Sequence, residues 1–159
     1  MAVLSASFFV ACAPSLKRTG YSKAETREAS CPVAFGRQGS PLDTDKSAVS
    51  LGIVEVKDGG FTMSCTEGDM LKLVWAEVCS QGGNAAMILD EKQPDLWSSC
   101  YRVKAEILHV NPDSVKAWQD ARYEPVSVAK RSAANSASQT ATLVGAIVGG
   151  LVAGFLVAR

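Results

Sequence analysis

Ser64–Gly83 reads SCTEGDMLKLVWAEVCSQGG, and its pattern sets the architecture of the whole chain. Ser64 followed by Glu67 has capping-box spacing, which predicts a helix beginning at Cys65 or Thr66. Leu71, Val74, Trp75 and Val78 recur at helical spacing and define one apolar face, so Trp75 is expected in the core. Gly82–Gly83 supplies the stop, because glycine adopts positive φ without a Cβ penalty. Cys65 and Cys79 mark the two ends of this helix.

Two strand-like segments precede the helix and two follow it. Cys31-Pro-Val-Ala-Phe-Gly is a short apolar run closed by glycine. Val49–Lys57 (VSLGIVEVK) is β-branched and alternating, and Asp58-Gly59-Gly60 ends it. After the helix, Asn84–Asp90 (NAAMILD) has the composition of a buried strand, and Glu91–Ser99, with Pro94 and Asp95, reads as a loop. Tyr101–Leu108 places Tyr101, Val103, Ala105 and Ile107 on one face and Arg102, Lys104 and Glu106 on the other, as in a strand with one wet face. The order β-β-α-β-β predicts an α+β domain over residues 31–110, with one helix on a short, mostly antiparallel sheet.

The flanks are of a different kind. Residues 1–12 form an apolar run ending in Cys12, and residues 13–30 are polar and read as a tether. Residues 111–141 hold a short helix, Asp113–Tyr123, and a Ser/Ala-rich linker, Ala129–Ala141. Thr142–Ala158 (TLVGAIVGGLVAGFLVA) carries no charge. As a helix it would span about 26 Å, close to a hydrocarbon core of about 30 Å, and it is expected to cross a membrane. Gly145/Gly149 and Gly150/Gly154 have the spacing that lets helix backbones approach closely in lipid.

The chain has 159 residues and zero net charge. No cluster of Lys and Arg exceeds a dipeptide, so nothing points to nucleic acid. Of five cysteines, Cys31, Cys65, Cys79 and Cys100 lie in the expected domain. Fourteen helical residues separate Cys65 from Cys79 by about 21 Å, too far for a bridge that needs Cα atoms roughly 4.4–6.8 Å apart. Two pairings stay open: Cys65–Cys100 with Cys31–Cys79, or Cys31–Cys65 with Cys79–Cys100. A zinc site has no Cys-x-x-Cys or His-rich spacing to support it.

Two resemblances bear on function. The run before Val10-Ala11-Cys12 resembles the lipobox of bacterial lipoproteins, which implies cleavage and lipidation at Cys12. The residues Cys65, Gly83-Asn84-Ala85-Ala86-Met87-Ile88-Leu89 and Cys100-Tyr101-Arg102-Val103-Lys104-Ala105 resemble the RcsF-like outer-membrane lipoproteins that sense envelope stress. That resemblance implies a Cys65–Cys100 bridge, which leaves Cys31 to Cys79.

No catalytic constellation is expected, nor any cofactor or metal. His109 continues the alternation of its strand, while Asp90, Glu91 and Asp95 read as solvated carboxylates without an acid–base partner. Trp97 is expected on a surface loop; Trp118 would pack on the domain or sit at a membrane interface. The expectation is a non-enzymatic envelope protein, its domain in the periplasm, that senses stress or binds other envelope proteins. The alternative is a membrane component that self-associates through its glycine-rich helix.

Overall fold

The computed structural model describes residues 14–22, 25–28, 30–42, 45–59, 65–95 and 97–135. The expected lipidation site, Cys12, lies outside the described residues. So does the expected membrane helix Thr142–Ala158, and with it all four of its expected packing residues, Gly145, Gly149, Gly150 and Gly154. Among the described residues no helix is long and apolar enough to cross a membrane.

Among the described residues the domain is α+β, with a five-stranded mixed sheet, two α-helices and two disulfides. Its strands are β1 (Ser15–Thr19), β2 (Ala34–Arg37), β3 (Val49–Lys57), β4 (Ala85–Lys92) and β5 (Arg102–His109), in the order β1-β3-β5-β4-β2. β2 runs parallel to β4 and the other neighbours pair antiparallel. Helix α1 (Glu67–Ser80) lies on one face, over Val54, Val56, Val103, Ala105 and Ile107, and buries Met70, Leu71, Val74 and Val78 against them. A smaller apolar cluster of Ala34, Leu42, Ala85, Leu108, Val110 and Val115 forms separately, and Trp118 packs against it.

The ends of α1 differ in detail from the sequence reading. The cap is Thr66, whose hydroxyl accepts from the Asp69 amide at 3.3 Å while Asp69 accepts from the Thr66 amide at 3.2 Å. The capping box thus sits two residues beyond Ser64, and Glu67 is free for another role. At the other end Gly82 takes φ +77°. Its amide donates to Cys79, and that of Gly83 to Val78, so two of the last helical carbonyls are satisfied. Gly83 is also forced by space: a Cβ there would lie 2.9 Å from both Ile107 and the Leu108 carbonyl.

Four further corrections concern what flanks the core. Residues 13–30 are no free tether: Ser15–Thr19 is an edge strand paired with β3, and the Arg27 amide donates to the Cys79 carbonyl. The helix expected at Asp113–Tyr123 is two 3-10 segments, Pro112–Trp118 and Ala121–Tyr123, the first capped by Asn111 rather than Asp113. Residues 125–135 form a second helix, α2, in place of the start of the Ser/Ala-rich linker expected from Ala129. Trp75 is 37% exposed rather than in the core.

The cysteines pair as Cys65–Cys100 and Cys31–Cys79. The first bridge ties Cys65, just before the Thr66 cap of α1, to Cys100, two residues before β5. The second ties the last turn of α1 to the segment leading into β2. Asn84, at the Asn-Ala step, adds a polar clasp: its side chain exchanges two 2.8 Å hydrogen bonds with the Val110 backbone and so continues the pairing of β4 with β5 past their ends.

The bridges close loops of 35 and 48 residues, and loss of either is expected to cost about 2–5 kcal/mol. In Cys65→Ser, thiol labelling should find Cys100 reactive and Cys31 and Cys79 still protected, with a lowered urea midpoint. Labelling of Cys31 in its place would refute the pairing.

Candidate functional site

An open groove of about 560 Å³ runs between α1, the approach to β2, and the segment that enters α2. Its walls are largely apolar: Val33 and Phe35 from the β2 side, Leu71 and Trp75 from α1, and Tyr123, Pro125 and Val128 from the C-terminal side. Phe35 sits at the centre, its ring 6.2 Å from that of Trp75 and 6.1 Å from that of Tyr123, tilted against both. Such tilted contacts suit the aromatic quadrupole. Phe35 is buried, whereas Trp75 keeps one side open to solvent. Lys72, Asp69, Gln119 and Glu124 add polar groups to the lining.

The C-terminal wall is held by backbone and charge. The Phe35 amide donates to the Gln119 side chain at 2.9 Å, and the Asp120 amide donates to the Phe35 carbonyl at 2.8 Å. Gly68 of α1 faces Val128 of α2, where even a Cβ would make an ordinary van der Waals contact at 3.7 Å. Arg131 of α2 clasps the buried Glu67 carboxylate through Nε, at 3.0 Å, and Nη2. The same Nη2 donates to the Arg122 carbonyl at 2.6 Å. The Asn135 side-chain amide donates to Gln93 at 2.7 Å, beyond the end of β4.

A second carboxylate completes the clamp. Glu91 lies in β4 rather than in a loop, and it accepts from Tyr101 Oη at 2.6 Å, from Tyr123 Oη at 3.2 Å, and from Arg122. Burial, then the Glu91 hydrogen bond, pushes the Tyr101 phenol well above its ordinary range. Burial, then the Glu91 charge, does the same to Tyr123. Both therefore stay protonated donors. With each carboxylate engaged by a guanidinium, the cluster works as a clamp on the C-terminal segment.

The remaining residues singled out in the sequence are scattered. His109 departs from the alternation: it is exposed at the end of β5, its Nδ1 3.1 Å from the Gly82 carbonyl. Asp90 is exposed, and Asp95 bonds the Trp97 and Ser98 amides and Arg102. Trp97 is on the surface, 94% exposed. Among the described residues no group of three or more His, Cys, Asp or Glu side chains could hold a metal ion. The edge strand is fixed to α1 by Glu77, which accepts from Arg18 (Nε at 2.9 Å) and from Tyr21 Oη at 3.1 Å.

In comparisons with protein-family models, curated proteins and solved structures, the chain matches none.

Removing one partner of a buried ion pair leaves an uncompensated charge. Arg131 retains some solvent contact, so Arg131→Ala is expected to cost about 3 kcal/mol, the low end for such pairs. Hydrogen exchange should quicken across 125–135 while β3 and β5 stay protected. The Arg18 hydrogen bond holds the Glu77 carboxyl below its ordinary value of 4.5. A depressed folded pKa means that the contribution is fully present above that value and is lost as pH falls through the lower, folded one. The stability gap between the native chain and Glu77→Gln, read by urea melts, should therefore close on acidification and stay level from pH 6 to 7.

Proposed function

We propose that this chain is a non-enzymatic protein of the bacterial cell envelope, its domain in the periplasm as an interaction module, held to a membrane by lipidated Cys12 and by Thr142–Ala158. The two disulfides carry this reading, because bridges that close a small domain form and persist in oxidising compartments. The apolar, charge-free run Thr142–Ala158 and the lipobox-like run before Cys12 supply the attachments. The groove supplies the contact surface. A half-exposed tryptophan packed on a buried phenylalanine is the kind of anchor that carries binding energy at protein interfaces. Stress sensing of the RcsF-like kind is the specific role that the Cys-Tyr-Arg and Asn-Ala residues suggest.

The second reading, self-association through the glycine-rich helix, rests on the spacing of Gly145 with Gly149 and of Gly150 with Gly154. Crosslinking separates the two: assembly that survives deletion of the domain and is lost in Gly149→Leu favours a membrane component that the domain merely decorates.

Anchorage is tested by fractionation with mass spectrometry. The purified native chain should carry an acylated Cys12 as its N-terminus. A chain ending at Ala141 with Cys12→Ser should leave the membrane fraction with both bridges intact. With Cys12 replaced, Gly150→Arg should weaken insertion by about 2.5–3.5 kcal/mol and release part of the protein. Full retention of Gly150→Arg together with aggregation of the shortened chain would sink the membrane reading.

A further inference from the structure

The strand register brings four features to one end of the sheet. Ser15 opens β1 opposite Lys57, the last residue of β3. Lys92, the last of β4, pairs with Arg102, the first of β5. Asn135, the last described residue of α2, bonds Gln93 at that same end. Ser15 and Gln93, the partner of Asn135, thus lie at one end of the sheet, about 15 Å apart across three strand spacings. Only Ala13 and Pro14 separate Cys12 from β1, and extended chain spans at most about 3.6 Å per residue, so a lipid on Cys12 would hold Ser15 within roughly 11 Å of its attachment.

The turn that joins β4 to β5 at this end carries Trp97, 94% exposed. An indole so exposed gains nothing from water. The turn is nonetheless firmly built: Asp95 accepts from the Trp97 and Ser98 amides, both at 2.9 Å, Ser98 donates to Asp58 at 3.0 Å, and the Cys65–Cys100 bridge closes it. The backbone that carries the ring is therefore held in place beforehand. Exposed Lys57, Lys92 and Lys104 lie on the adjoining surface with Glu55 and Asp90 between them, and Lys57 is tied to Glu55 at 2.8 Å. A tryptophan mounted on a built turn at the sheet end where Lys57 and Lys92 close their strands has the chemistry of a bilayer interface, where the indole sits at headgroup depth and ammonium groups meet phosphate.

We propose that this end of the sheet is a membrane-seating surface, with Trp97 in the headgroup layer of the bilayer that holds the chain's two apolar flanks. The proposal rests on the anchorage reading above and adds an orientation to it. The domain does not swing on a long tether; it stands on the membrane on its β4–β5 turn.

The test uses the full chain reconstituted into vesicles of phosphatidylethanolamine and phosphatidylglycerol, isolated by flotation. In the double variant Trp75→Phe/Trp118→Phe, the remaining emission, from Trp97, should shift to the blue relative to the same variant ending at Ala141 and carrying Cys12→Ser. It should also be quenched by phospholipid brominated near the headgroup and resist aqueous iodide. In the unsubstituted chain, hydroxyl-radical labelling should mark Trp97 less than Trp75, although Trp97 is the more exposed of the two in the isolated domain. Protein that floats but whose Trp97 is quenched by iodide, ignores brominated lipid and labels more than Trp75 overturns the seating and leaves anchorage standing. The indole would then face water or await a protein partner. Protein that fails to float overturns both.

Discussion

Helix α1 is fixed covalently at both ends, and the position of everything else follows from that. Cys65–Cys100 ties its start to the entrance of β5, and Cys31–Cys79 ties its last turn to the segment before β2. A domain of this size with one central helix has a thin core, so limiting the unfolded ensemble matters more than it would in a larger protein. The apolar contacts of α1 with Val54, Val56, Val103, Ala105 and Ile107 then need only choose the face. The bridges choose the axis.

With α1 immobilised, two of its carboxylates become fixed points for the chain on either side. Glu77, near its end, holds Arg18 and Tyr21 and so draws in the edge strand. Glu67, in its first turn, holds Arg131 and so draws in α2. The two clasps differ in physics. Arg18 is about half exposed, where screening leaves little net energy and the geometry serves mostly to register β1. Glu67 is almost fully buried, where the pair is worth little over an apolar contact but cannot be broken cheaply. The N-terminal clasp is thus soft and the C-terminal one close to all-or-none.

Elements that bury their own apolar face were legible in the sequence. Val49–Lys57 announced β3 through alternation, and the spacing around Val74 and Val78 announced α1. Elements that dock by polar contact were not. SLKRT carries a single large apolar residue, Leu16, because an edge strand needs only one side and one partner. α2 lacks an apolar stripe because Val128, Arg131 and Asn135 make its attachments, and partners such as Glu67 and Gln93 stand far away in sequence. Its start was nevertheless marked: Pro125 at a first helical position, followed by alanine, lysine and arginine, is a recognised beginning. Trp75 failed for a subtler reason. Its spacing places it on the apolar side of α1, but at the margin of that side, where the facing wall stops at Phe35 and Tyr123 and leaves the groove open.

The groove and the C-terminal flank are mechanically one device. Tyr123, Pro125 and Val128 line the groove, while Arg131 and Asn135, one and two turns further along the same helix, hold it to Glu67 and Gln93. Tyr123 belongs to both sets, since its ring packs on Phe35 and its hydroxyl bonds Glu91. An occupant that wedges between Trp75 and Tyr123 must either fit the existing gap or move α2, and moving α2 strips Arg131 from a buried carboxylate. Because that loss is steep, the clamp resists small displacements and yields only to an occupant whose own contacts exceed it. An occupant of the groove would therefore be coupled to the attitude of α2 through packing and charge alone.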